Sequence, residues 1–157
     1  NMQIRTREAV RKDCPRLLEL VRELALYEKA PEQVTVTQEH FEESGFGEHP
    51  VWWSLVAVVD DPASPDGEKI IGLALWYIRY STWKGQTMYL EDLHVTESMR
   101  GNGAGKLLFD ALIEIAKQRG FKRIVWQVLD WNEPGLNFYR KLNADFDPGW
   151  INCTLDL

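Results

Sequence analysis

Cysteine is scarce in this chain: Cys14 and Cys153 are the only two among 157 residues, far apart and in no metal-ligand spacing. That excludes a disulfide-dense secreted scaffold or a zinc ribbon, and it leads us to expect reduced thiols, a cytoplasmic setting and no metal. Long apolar runs are also missing. None approaches the roughly 20 residues of a membrane helix, so no membrane partner is expected. The first residues lack a signal-peptide pattern, and Asn1 ahead of Met2 reads as an expression remnant. Positive charge is in deficit, with 18 Lys and Arg against 24 Asp and Glu and a net charge of −6. This argues against nucleic acid and mildly favours a cationic partner. No repeat, low-complexity segment or linker interrupts the chain, so residues 2–157 are expected to form a single domain.

What is present is an alternation of strands and helices. "MQIRT" (2–6) reads as a first strand, and apolar residues at Cys14, Leu17, Leu18, Val21, Leu24 and Ala25 predict a helix over 11–27. Thr37 caps a shorter helix expected to stop at Gly45. Strands follow at 52–60, 69–80 and 87–95, the first two joined by "DPASPDGE". A helix is predicted from Gly103 to Arg119 with Leu107, Leu108, Ala111, Leu112, Ile115 and Ala116 inward, then a buried strand over 122–130. A last helix starts near Pro134, and strand-like segments at 144–147 and 150–156 close the chain. The fold class is mixed α/β around one sheet.

Between the strand at 87–95 and the helix after it lies "RGNGAG" (100–105), followed by Lys106. A Walker loop would need Gly where Lys106 stands, and a dinucleotide fingerprint would need its third Gly there. Neither fits. A strand-to-helix position nevertheless leaves the first-turn N–H groups unpaired, and glycine at 101, 103 and 105 lets a phosphate approach them closely.

The pattern Arg100-x-x-Gly103-x-Gly105 resembles the coenzyme A pyrophosphate loop of GNAT acetyltransferases. "ELALYEKAPEQV" (23–34), "GFGEHP" (45–50), "YLEDLHV" (89–95) and "WNEPGLNFYRKLNA" (131–144) extend the resemblance over nearly the whole chain. Their order and spacing are similar to those of the spermidine/spermine and thialysine acetyltransferase branch. The resemblance implies a mostly antiparallel sheet, splayed between strands 4 and 5, with helices on both faces and acetyl-CoA in the gap. It places coenzyme A against Arg100, Gly101, Asn102, Gly103, Ala104, Gly105 and Lys106, against the backbone of Leu93, His94 and Val95, and near Asn132 and Tyr139.

The implied reaction is attack of an amine on the acetyl thioester. An alkylamine with a pKa near 10.4 is only about 0.1% neutral at pH 7.4, so losing its proton costs roughly 4 kcal/mol. A base for the amine and an acid for the departing thiolate are both useful. The resemblance makes Glu91 the base, acting through water, and Tyr139 the acid. A strand bulge at this point, frequent in the family, would let Glu91 and Asp92 serve one site. His94 stands where relatives usually carry an apolar residue and is read as a strand histidine, not a base. Asn132 also suits a helix N-cap.

A polyamine acceptor needs separated carboxylates and apolar walls for its methylenes, and Glu28, Glu32, Asp92, Trp83 and Trp150 are the candidates. Relatives carry Asp where this chain has Ser81, which leaves room for shorter diamines or thialysine-like amines. Acetylation of a protein N-terminus or an aminoglycoside, and a non-catalytic acetyl-CoA sensor, are the alternatives. By resemblance the protein is expected to be a homodimer, with any C-terminal arm between subunits a short one.

Overall fold

The computed structural model describes residues 2–157. Its contacts divide the chain into a first compact unit ending at Trp126 and a second from Gln127 to Leu157.

The first unit is built on a five-stranded sheet in the order β1-β2-β3-β4-β5. The strands are β1 (Arg5–Glu8), β2 (Trp53–Asp60), β3 (Glu68–Ser81), β4 (Gly85–Val95) and β5 (Ile124–Val125). The first four pair antiparallel, and β5 joins β4 in parallel. One sheet face carries Val56, Val58, Ile70, Leu73 and Leu75 against Cys14, Leu17, Leu18 and Leu20 of helix α1 (Cys14–Tyr27) and Phe41 of α2 (Gln38–Phe46). Helix α3 (Ala104–Gln118) covers the opposite face with Leu108, Phe109, Leu112 and Ala116. At the end of α3, the Arg119 guanidinium lies 5.4–5.5 Å from the ring centroids of Trp53, Trp76 and Phe121.

Several expectations shift. Leu107 is 41% exposed and Phe109 takes the buried place assigned to it. Gly45 does not stop α2. The helix continues to Phe46, and glycine is needed because a Cβ at 45 would collide with the Trp52 indole. That indole stacks on Phe41 and donates to its carbonyl oxygen. Thr37 caps α2 as predicted, accepting from the His40 N–H at 3.1 Å. The strand expected over 122–130 shortens to Ile124–Val125, which pair with Met88 and Tyr89. Apolar, β-branched sequence favours extension, but a strand also needs a hydrogen-bonding neighbour, and β4 supplies one for only those two residues.

In the second unit, α4 (Glu133–Lys141) is N-capped by Asn132, whose side chain accepts from the Gly135 N–H. Phe138 and Tyr139 meet edge to face on it at 5.4 Å. The helix ends where Asn143 turns to φ 61° and the Ala144 N–H bonds the Tyr139 carbonyl. The segments at 144–147 and 150–156 form no strands. An Asp147 side chain that accepts from the Gly149 N–H and the Trp150 indole makes a turn there instead.

Candidate active site

The registry of β3 against β4 is the central feature. Leu75 faces Asp92 and Trp76 faces Leu90, so Glu91 is an extra residue with no partner of its own. A single inserted residue moves every later side chain to the other face of the strand. Tyr89 lies opposite Tyr77, and beyond the bulge Asp92 and His94 lie opposite Leu75 and Leu73, all on the α1 face. Without the bulge Asp92 and His94 would point under α3. The bulge also bends the strand beside the point where pairing to β5 stops at Tyr89. From Leu90 to Val95, no strand among the described residues continues the sheet on that side.

The consequence is electrostatic. Asp92 is half-buried, and its carboxyl is pushed up to about 7, first by desolvation and then by the charges of Glu91 and Glu28. Glu28, in the turn after α1, is likewise raised by desolvation and by Glu91. Burial raises the phenols of Tyr77 and Tyr89, and Glu91 raises them further. Two carboxyls held against ionisation by burial and by the neighbouring charge of Glu91, beside two tyrosines, make a site that a cation relieves. Glu32 is exposed in the short turn Pro31–Gln33, and of those two acids Glu28 is the one that feels the charge of Glu91.

His94 is 5% exposed, and its Nε2 lies 3.1 Å from Glu23 Oε1 of α1. Burial lowers its pKa, outweighing the Glu23 carboxylate, so a neutral imidazole donating from Nε2 ties β4 to α1. Its side chain is therefore committed to packing.

The glycine loop runs from a 3-10 turn (Glu97–Met99) into α3. Gly101 and Gly103 have φ of 81° and 86°, a region that β-carbon-bearing residues avoid. A Cβ at either position would meet no atom within 4 Å, so glycine is required here by backbone conformation. No side chain caps α3. Its first-turn N–H groups are therefore left for an external acceptor, and the helix dipole favours an anion there. Lys106 reaches Asp110 one turn on, at 2.7 Å. Arg100 donates to the Val95 carbonyl and lies 5.2 Å from the Tyr27 ring centroid, while Asn102 donates to the Met99 carbonyl. These side chains shape the loop, and the uncapped backbone fits a pyrophosphate.

Trp83 lies at the β3–β4 hairpin tip, where the Ser81 hydroxyl accepts from the N–H groups of Trp83 and Lys84. Six strand residues, roughly 20 Å, separate Gly85 from Glu91, so the tip is remote from the carboxylates of its own chain. Trp150 belongs to the second unit and is 75% exposed. Tyr77, Tyr89 and Arg79 were missed from sequence. Their signal was the alternation Tyr77-x-Arg79 facing Tyr89, legible only with the register in hand. Among the described residues, no group of three or more His, Cys, Asp or Glu is placed to hold a metal, and no helix is long and apolar enough to cross a membrane.

Residues 13–144 match the Acetyltransferase (GNAT) family. The chain is 41% identical to the thialysine N-epsilon-acetyltransferase of Bos taurus over 139 residues, 88% of this chain and 82% of that protein. It is 34% identical over 151 residues to the Homo sapiens spermidine/spermine N(1)-acetyltransferase-like protein 1, covering 94% of this chain and 21% of that one. A crystal structure of an aminoglycoside acetyltransferase from an uncultured soil metagenomic sample superposes with a TM-score of 0.78 at 20% identity, covering 98% and 97% of the two chains.

Proposed function

The chain belongs to the GNAT acetyltransferase family, and from that premise we propose that it acetylates a primary amine of a small cationic acceptor: a polyamine, a diamine or a thialysine-like amine. One observation carries the reading. The β4 bulge turns Asp92 onto the face of Glu28, and both carboxyls are raised by burial and then by the charge of Glu91, beside an unpaired strand edge. The negative surface recruits an ammonium, and the tyrosine pair walls its methylenes.

Acetyl-CoA supplies the acetyl group as an activated thioester. The α3 N-terminus and the loop at 100–106 would hold its pyrophosphate, and the backbone from Leu93 to Val95 would pair with its pantetheine arm as an added strand does. Glu91, exposed on the bulge, takes the proton of the bound ammonium by way of water. As the N–C bond forms and the C–S bond breaks, the nitrogen gives its second proton to solvent, Tyr139 gives its phenolic proton to the sulfur, and solvent restores the phenol. Asn132 serves both as the α4 cap and as a contact for coenzyme A. The same reading makes the protein a cytoplasmic homodimer, and sedimentation of the purified protein tests the dimer.

Thiol release from acetyl-CoA should occur with diamines and ω-amino acids and be absent without amine. Glu91→Gln should depress kcat most at neutral pH and recover as pH rises and free amine accumulates. Tyr139→Phe should lower kcat by about 10²–10⁴ with no such recovery, because its proton acts at the leaving group. A well-folded Tyr139→Phe protein with unchanged kcat removes that residue from the mechanism.

A further inference from the structure

Three arginines of the first strand and of α1 are committed to ion pairs. Arg5 pairs with Asp60 and Glu68, Arg7 with Asp13 and Glu68, and Arg16 with Glu23. Arg79 differs. It stands on β3 opposite Thr87, exposed, and among the described residues it makes no ion pair. Its guanidinium carbon lies 5.6 Å from the Tyr89 ring centroid, so the side chain leans along the sheet toward the bulge and away from the hairpin tip.

Tyr77 and Tyr89 form a cross-strand pair with centroids 5.1 Å apart. Arg79 acts on both phenols with one sign of charge and Glu91 acts on both with the other. The pair is therefore an aromatic floor with a cation at one end and carboxylates at the other. Tyr89 and Glu91 are two strand residues apart, roughly 7 Å, which is on the scale of a lysine-sized side chain. A polyamine has no use for the cationic end, since its second ammonium would be repelled there. An acceptor with a carboxylate at one end and an amine at the other satisfies both ends at once.

We propose that Arg79 is a specificity-determining residue that binds a carboxylate on the acceptor, so that the preferred acceptors are amino acids whose terminal side-chain amine is acetylated. The assignment rests on the amine-acetyltransferase reading above. The acceptor's carboxylate pairs with the planar guanidinium, the Tyr77–Tyr89 surface supports its methylenes, and its terminal ammonium enters the field of Glu91 and Asp92.

The test uses matched acceptors that differ by the carboxylate alone: L-lysine against cadaverine, and L-ornithine against putrescine. The wild-type enzyme should have the higher kcat/KM for the amino acid of each pair. In Arg79→Gln the amino-acid-to-diamine ratio should fall at least tenfold, through KM, and kcat/KM for the diamine should rise as a repelling charge is lost. Arg79→Lys should recover part of the ratio, since it keeps charge and loses the planar fork. A ratio unchanged by Arg79→Gln in a protein that still acetylates both members overturns the role of Arg79 and leaves amine acetylation standing. Absence of thiol release with every amine overturns the underlying reading, and this assignment with it.

Discussion

Replacing Asp92 with asparagine keeps the side-chain shape and removes a charge that the fold opposes. Its carboxyl moves from an ordinary 3.8 to about 7, and each unit is about 1.4 kcal/mol. The whole shift is therefore worth about 4 kcal/mol, and local relaxation should leave roughly half. The sign follows from proton binding. Because the folded carboxyl holds its proton more tightly than the unfolded one, stability is fully present below about 3.8 and is lost as pH rises to about 7. Urea unfolding of wild type and Asp92→Asn at pH 5, 6, 7 and 8 separates this group from the others that titrate nearby. The variant should be the more stable protein at pH 8, and the gap should widen by roughly 1–3 kcal/mol between pH 5 and pH 8. That corresponds to about a 0.5–1.5 M change in urea midpoint if m is near 2 kcal/mol/M. Acceptor KM should meanwhile rise, since the same charge that destabilises the empty site attracts the ammonium. Parallel pH profiles, or an Asp92→Asn protein less stable than wild type at pH 8, would refute the claim that Asp92 is held against its own ionisation.

Two further predictions concern the glycines. Gly103→Val should weaken acetyl-CoA binding far more than Lys106→Ala, because a β-branched residue resists the φ of 86° while Lys106 already answers Asp110; calorimetry that ranks them the other way would show a loop working through side-chain charge. Gly45→Ala should lower stability by roughly 1–3 kcal/mol, because its new methyl collides with the Trp52 indole in the packed core, and an unchanged melting temperature would mean that the indole moves at no cost.

Local chemistry in the sequence determined a good deal by itself. Thr37 before an acidic first turn, the apolar stripe of α1, and the largely apolar runs of β2 and β3 each carry their own conformational preference. The glycine loop was legible for the same reason, since a strand followed by alternating glycines and an amphipathic stretch makes an uncapped helix start. Leu107 misled because a helix period places a stripe only to within about one residue, and the sheet beneath selected Phe109. Strands were over-read at 122–130, 144–147 and 150–156, because extension belongs to a residue but a ladder belongs to a pair. The site itself depended on that same pairing. Strict alternation sends Glu91 and Asp92 to opposite faces, and only the mismatch of two β4 residues against one β3 partner brings them together with Glu28. Tyr77, Tyr89 and Arg79 became a surface through cross-strand neighbours that no single strand specifies. Composition, capping and periodicity are properties of one segment and can be read from it, whereas register, and with it the charge of a shared face, exists only once two segments have met.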